Sequence, residues 1–211
     1  MLITGRERIF LEWVRGLFVS YYGENMTSLQ TIREQFMPQI MAEPFVKAIG
    51  SNSLTQQQAD YYTAQDASYI EAFMPIVNQI DESLHLTRPT SDDEGQAHLS
   101  LVDAVAPKPL DLVGQSYVNH MRSAAQKGAM AAIMATLPCV ESYYFIAKAL
   151  AHQTNNGWQQ YYASKQYHDL VTYYWQIVDH SDSQLDVAIF EKSYQFELKF
   201  WRNAYEKGSQ Y

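Results

Sequence analysis

The chain has 211 residues, of which 47% are hydrophobic, and this is enough apolar surface for one sizeable core. The net charge is -8 and no basic stripe is visible, which argues against a sequence-independent nucleic-acid binder. The single cysteine, Cys139, excludes an intrachain disulfide and a cysteine-based zinc site, and it favours a reducing compartment such as the cytoplasm. No apolar run approaches the roughly 18 residues of a membrane span, so no span is predicted.

Apolar residues recur at helical spacing along nearly the whole chain, whereas strand-like alternation is scarce. The spacing predicts helices over 6–22, 27–41, 45–49, 53–85, 99–105, 110–127, 129–152, 158–180 (broken) and 183–207. Ser53 and Gln56 have the spacing of a capping box at the start of the long helix, and the polar stretch 87–95, which contains Pro89, reads as a loop. With no repeat and no linker, the prediction is an all-α bundle domain over 26–211, preceded by a helical extension over 1–25.

Polar or reactive side chains interrupt the apolar faces of four predicted helices. Asp66 lies in the middle of one face, Tyr117 and Cys139 lie on two others, and Glu197 lies on the face of the last helix. Burying a carboxylate without a partner costs several kcal/mol, so these positions favour a ligand or a specific partner. The four groups are therefore candidates for one interior site. The alternative is structural: a cysteine on an apolar face is often an inert small hydrophobe, and a buried carboxylate can bind a backbone group or a tyrosine.

A second pattern suggests metal chemistry but is incomplete. Glu82 and His85 have the Glu-x-x-His spacing of di-iron helical bundles, yet the chain contains no second such pair. A solvated helix end is the preferred interpretation of these two residues.

Five segments resemble, in the same order, motifs of the TenA/thiaminase II family, and together they cover about residues 28–207. The segments are Glu43-Pro44-Phe45-Val46, Leu54 with Tyr61-Tyr62, Gln65-Asp66 and Tyr69, Leu137-Pro138-Cys139 with Tyr143, Trp158 with Tyr162, and Phe196-Glu197-Leu198-Lys199-Phe200-Trp201. The resemblance implies a haem-oxygenase-like helical fold and homo-oligomers, commonly tetramers.

The resemblance also implies roles for residues that the helical faces had already singled out. Cys139 would be the nucleophile, and Glu197 and Asp66 would bind the ring nitrogens and the amino group of a 4-aminopyrimidine. The implied substrate-binding residues are Tyr69, Tyr117, Tyr143, Tyr162 and Phe200.

The implied reaction is hydrolysis of 4-amino-5-aminomethyl-2-methylpyrimidine to the hydroxymethyl compound, or of thiamin itself, in thiamin salvage. It requires no metal and no organic cofactor. Two other functions stay open: a protein that binds a thiamin-like pyrimidine without turnover, and a metal-dependent oxygenase on the same fold.

Three features depart from the family pattern. Glu43 stands where the family usually has histidine, and the segment 86–109 is shorter than usual. The shorter segment is expected to open the pocket, change the leaving group or alter subunit packing. Residues 1–25 have no counterpart; either they form a helix that packs on the bundle, joins subunits or lies on a membrane surface, or Met26 is the native start.

Overall fold

A computed structural model describes residues 27–89, 106, 108–181 and 185–210, and this part of the chain contains eight helices and no strand. The helices are α1 (Thr27–Ala42), α2 (Pro44–Gly50), α3 (Gln56–Leu84), α4 (Leu112–Ala125), α5 (Ala129–Leu150), α6 (Gly157–Tyr162), α7 (Lys165–Asp179) and α8 (Val187–Gly208). The predicted all-α fold class is confirmed. The helices predicted over 6–22 and 99–105 lie outside the described residues.

The N-cap of the long helix α3 lies two residues later than the sequence pattern suggested. The predicted capping box at Ser53 and Gln56 is wrong, because the Ser53 backbone N–H still closes the end of α2 through a 2.9 Å bond to the Ala48 carbonyl. The capping box is formed instead by Thr55 and Gln58. The Gln58 N–H donates to Thr55 Oγ1 at 3.2 Å, and the Thr55 N–H donates to Gln58 Oε1 at 3.0 Å. Each side chain thus satisfies a backbone donor that the first turn would leave unpaired.

Side-chain caps also fix the later helix boundaries. Asp111 accepts from the backbone of Val113 and Gly114 at the start of α4. The broken helix predicted over 158–180 is divided into α6 and α7 because Ser164 caps α7 through the Tyr167 N–H. Caps of this kind stabilise a helix start by about 1 kcal/mol, and they explain where α4 and α7 begin.

Helix α5 lies at the centre of the bundle and packs against α3, α4, α6, α7 and α8. Helix α8 packs in turn against α1, α2, α3 and α4, so the last helix closes the bundle. By length and composition alone α5 could cross a membrane, but 78% of its apolar window is buried inside the bundle. A buried core helix passes the same test, and this one is apolar on all sides because other helices surround it.

A buried ion pair joins four of these helices. The Arg33 guanidinium on α1 donates to the Glu141 carboxylate on α5 at 3.3 Å, and both side chains are almost completely buried. Trp175 Nε1 of α7 donates to the same carboxylate at 2.8 Å, and the Tyr194 hydroxyl of α8 donates to its other oxygen. The three donors replace the water that the Glu141 carboxylate loses on burial.

Candidate active site

A cavity of about 220 Å³ lies between α3, α5, α6 and α7. The segment that follows α3 closes one part of it through Arg88 and Pro89. Five of the eight predicted site residues line the wall of this cavity, and they are Asp66, Tyr69, Cys139, Tyr143 and Tyr162. The structure therefore brings together side chains that are up to 96 positions apart in the chain.

Cys139 reaches the cavity from the middle of α5, and its side chain is only partly buried. It follows Pro138, which has no N–H and so removes one intrahelical hydrogen bond directly before the thiol. The thiol lies within hydrogen-bonding reach of both the Glu197 carboxyl and the Tyr69 hydroxyl. A titratable carboxyl group is thus in contact with the single thiol of the chain.

Glu197 is 1% exposed, and burial is the main reason why its pKa rises to about 7. The Ser142 hydroxyl donates to Glu197 Oε2 at 2.9 Å and, together with Tyr117 and Cys139, partly offsets this rise. The negative charge of Asp66 adds a smaller upward contribution. A carboxyl group with this pKa exchanges protons readily near neutral pH.

Asp66 lies at the end of a chain of buried donors. Trp158 Nε1 donates to the Tyr62 hydroxyl at 3.1 Å, and Tyr62 donates to the Tyr143 hydroxyl at 3.4 Å. Tyr143 donates to Asp66 Oδ1 at 3.2 Å. Hydrogen bonds that all run toward the carboxylate stabilise its negative charge although the side chain is only 2% exposed.

Three tyrosines of the site, Tyr69, Tyr117 and Tyr143, remain neutral over the whole physiological range. Burial, as the largest cause, raises the pKa of Tyr69, Tyr117 and Tyr143 well above 10. Their hydroxyls can therefore donate hydrogen bonds but do not act as phenolate bases.

The other three predicted residues, Glu197, Tyr117 and Phe200, do not line the cavity. The Tyr69 ring stands in front of two of them, with ring centroids 5.6 Å from Tyr117 and 6.2 Å from Phe200. Glu197 is within hydrogen-bonding reach of Cys139, which does line the cavity. All three residues therefore contact residues of the wall without lining the cavity themselves.

Sequence reasoning missed several residues of this region. Ser142 follows Cys139 by three positions, which is a neighbouring position on the same helical face, and that spacing could have revealed it. For the segment that contains Arg88, the sequence predicted a loop and no functional residue. Glu43, which departs from the family pattern, lies away from the cavity and accepts a 2.8 Å hydrogen bond from Arg202 Nη2.

Within the described ranges, no three His, Cys, Asp or Glu side chains lie close enough together to hold a metal ion. Glu82 and His85 are at the end of α3, where His85 forms the C-cap with a left-handed backbone. Neither residue lines the cavity.

Solved structures share this arrangement of helices. A TenA homologue from P. horikoshii OT3 superposes with a TM-score of 0.74 and 24% identity, over 86% of this chain and 98% of its own. The chain has the TenA fold. A TenA-like protein from Sulfolobus solfataricus P2, named a candidate thiaminase, superposes on it with a TM-score of 0.72 and 19% identity, over 88% of this chain and 97% of its own.

The TenA fold is also that of a protein described as a TenA family transcription regulator from Silicibacter sp. TM1040, with a TM-score of 0.67 and 16% identity. That superposition covers 87% of this chain and 97% of the other. The predicted haem-oxygenase-like helical architecture is confirmed. No protein-family model matches the sequence, and comparison with curated proteins gives no significant match.

Proposed function

We propose that this protein is a TenA-type hydrolase that uses Cys139 to cleave a substituent from the methylene group of a 4-aminopyrimidine. The observation that carries the proposal is the contact between the Cys139 thiol, on the cavity wall, and a buried Glu197 whose pKa is about 7. A binding protein has no need of a nucleophile beside a proton acceptor.

Asp66 and the aromatic side chains would hold the ring. The Asp66 carboxylate faces the cavity beside Tyr143, where it can accept hydrogen bonds from an exocyclic amino group or a protonated ring nitrogen. The Tyr143 and Tyr162 rings, whose centroids are 4.8 Å apart, supply apolar surface for a planar heterocycle. Tyr69 would cover the ring from α3.

The chemistry follows from the position of Glu197. Its carboxylate accepts the thiol proton as the sulfur adds to the ring carbon next to N1, and the carboxylic acid then protonates N1. Electron density returning through the ring expels the leaving group from the methylene. Water adds to the resulting methide, and the cysteine departs as the aromatic ring is restored. None of these steps requires a metal or an organic cofactor.

The proposed substrates are 4-amino-5-aminomethyl-2-methylpyrimidine, with ammonia as the leaving group, and thiamin, with the thiazole as the leaving group. The proposed role is thiamin salvage in the cytoplasm by a homo-oligomer. The TenA fold of the candidate thiaminase from Sulfolobus solfataricus supports the proposal.

The direct test is ammonia release from 4-amino-5-aminomethyl-2-methylpyrimidine by the native protein and by Cys139→Ser. We expect release by the native protein and a loss of at least about a thousandfold in kcat/KM in the variant, since the alcohol is a far weaker nucleophile. Ser142→Ala is the matched control on the same helix. It should retain measurable turnover, because the thiol remains. Undiminished release by Cys139→Ser would refute the proposed nucleophile.

A pyrimidine-binding protein without turnover is the second candidate, and the transcription-regulator description of one relative of the same fold favours it. It would show saturable binding of the aminopyrimidine by calorimetry, with neither that compound nor thiamin consumed. That result would replace the hydrolase proposal.

A further inference from the structure

The cavity has two charged residues on its wall among the described residues, and they lie far apart. Asp66 is at one end of the α3 face that lines it, and Val77 is at the other end of that face. These two positions are separated by about 16 Å along the helix axis, given 1.5 Å per residue. Arg88 lies beyond Val77, because its guanidinium contacts Asn78 and Asp81. A single pyrimidine ring at Asp66 would fill less than half of this length.

Arg88 is held in place rather than free in solvent. Its Nη1 donates to Asp81 Oδ2 at 2.6 Å, and its Nη2 donates to the Asn78 side chain at 3.1 Å. Arg88 is 15% exposed, and Tyr173 supports Asp81 from α7 through a 3.4 Å hydrogen bond. Arg88 lines the cavity, whereas Asp81, which its guanidinium binds, does not.

This geometry gives the two ends of the cavity opposite polarity. A guanidinium has five N–H donors, and the two contacts above leave donors for a further acceptor. An arginine fixed by other hydrogen bonds loses little side-chain freedom when it binds an oxyanion, so it recognises carboxylates and phosphates efficiently. The surrounding wall at this end is apolar or aromatic, with Phe73, Met74 and Tyr174. Low local polarity strengthens such a charge-assisted bond.

We propose that the far half of the cavity binds an oxyanion on the leaving group, so that the favoured substrates are aminopyrimidines whose leaving group carries a phosphate or a carboxylate. The inference rests on the proposed function, since Asp66 must hold the pyrimidine. In the reaction, the methylene C–N bond breaks and its electron pair stays with the departing thiazole nitrogen. Water supplies the hydroxyl group, and one proton is released to solvent. Arg88 binds the departing half and takes no part in bond cleavage.

The test compares three compounds with the same skeleton: thiamin, thiamin monophosphate, and the analogue whose hydroxyethyl group is oxidised to a carboxymethyl group. We expect kcat/KM to be about tenfold or more higher for at least one anionic compound than for thiamin, and which one distinguishes phosphate from carboxylate recognition. In Arg88→Gln this ratio should fall toward one. Because the ratio compares two substrates on one protein, a general loss of activity or stability cancels.

Arg122→Gln, an exposed arginine on α4, is the matched control and should leave the ratio unchanged. Asp81→Asn should raise the ratio, because the guanidinium then loses its compensating charge. An equal ratio in the native protein and Arg88→Gln would overturn the inference while leaving the hydrolase proposal intact. If no compound is hydrolysed, the hydrolase proposal fails. In that case the inference is tested separately by calorimetry. The ratio of the Kd for thiamin to the Kd for thiamin monophosphate should be high in the native protein and fall toward one in Arg88→Gln.

Discussion

Glu197 is the residue whose ionisation should govern activity near neutral pH. Only its carboxylate form can accept the thiol proton, and burial raises its pKa to about 7. We therefore expect kcat/KM for 4-amino-5-aminomethyl-2-methylpyrimidine to fall about tenfold for each pH unit below about 7. Steady-state kinetics between pH 5 and 9, about two pH units on either side of that pKa, would measure this decrease in kcat/KM.

The variant Glu197→Gln should lack that decrease at low pH and retain little activity at any pH. Glu206→Gln changes an exposed carboxylate on the same helix and should leave the profile as it is in the native protein. If kcat/KM of the native protein does not change with pH through pH 7, Glu197 takes no part in the proton transfer.

The same carboxyl group should cost stability at high pH. Its folded pKa of about 7 exceeds the ordinary value of 4.5, so the folded state binds the proton more tightly than the unfolded state does. The free energy of unfolding therefore keeps the full contribution of this group below about pH 4.5. It loses that contribution progressively up to about pH 7, by about 3 kcal/mol in all.

Glu197→Gln should remove this loss, because glutamine can still accept the Ser142 hydrogen bond without a buried charge. The free energy of unfolding by urea, native minus variant, should fall between pH 5 and 8 and level off above about pH 7. A difference that does not vary with pH would show that Glu197 has an ordinary pKa.

At the scale of elements, the Arg33–Glu141 pair fixes how α1 meets α5. Glu141 also accepts from Trp175 and Tyr194, and burial raises its pKa in spite of Arg33. Arg33→Met leaves a buried carboxyl group without its cation and should destabilise the fold by about 3 to 5 kcal/mol. Chemical denaturation would measure the change.

The double variant Arg33→Met/Glu141→Gln should recover a large part of that loss, because no buried charge then remains unpaired. If the loss of stability in the double variant equals the sum of the losses in the two single variants, the two groups do not interact energetically.

The helices themselves were largely predictable, and the starts of α1 and α5 were predicted to the residue, whereas the start of α3 was not. Apolar spacing located every described helix, because a helix in a bundle must bury one continuous face. The start of α3 was misplaced because Ser53 and Thr55 both have suitable partners three residues ahead. Only the three-dimensional end of α2, which uses the Ser53 N–H, shows that Thr55 is the cap.

At the scale of the whole molecule, the last turn of α8 closes onto the first turn of α3. A Cβ atom at Gly208 would lie 2.7 Å from the Gln58 Cα, and Gln58 Nε2 donates to Ser209 Oγ at 2.9 Å. Gly208→Ala should therefore destabilise the protein by about 1 to 3 kcal/mol, since backbone on both sides must shift. The thermal midpoint would report it.

Gly114→Ala is the matched control, also a helical glycine. Its Cβ would come closest to the end of the flexible Leu110 side chain, at 3.0 Å, and would lie at ordinary van der Waals distance, 3.7 Å, from Asp111 Oδ1. Alanine also has the higher helix propensity. We expect this variant to be close to neutral. Equal midpoints for both variants would show that the contact between α8 and α3 is loosely packed.

Apolar periodicity was enough to predict the helices, the all-α fold and the candidate residues Asp66, Cys139 and Glu197, because the spacing of apolar residues is a local property of the chain. Tertiary structure decided which of these groups touch. It brought Glu197 into contact with Cys139, packed Tyr69 against Tyr117 and Phe200, and placed Arg88 on the cavity wall. The physical reason is that desolvation, which sets the Glu197 pKa, and contacts between distant segments depend on how the faces of different helices meet.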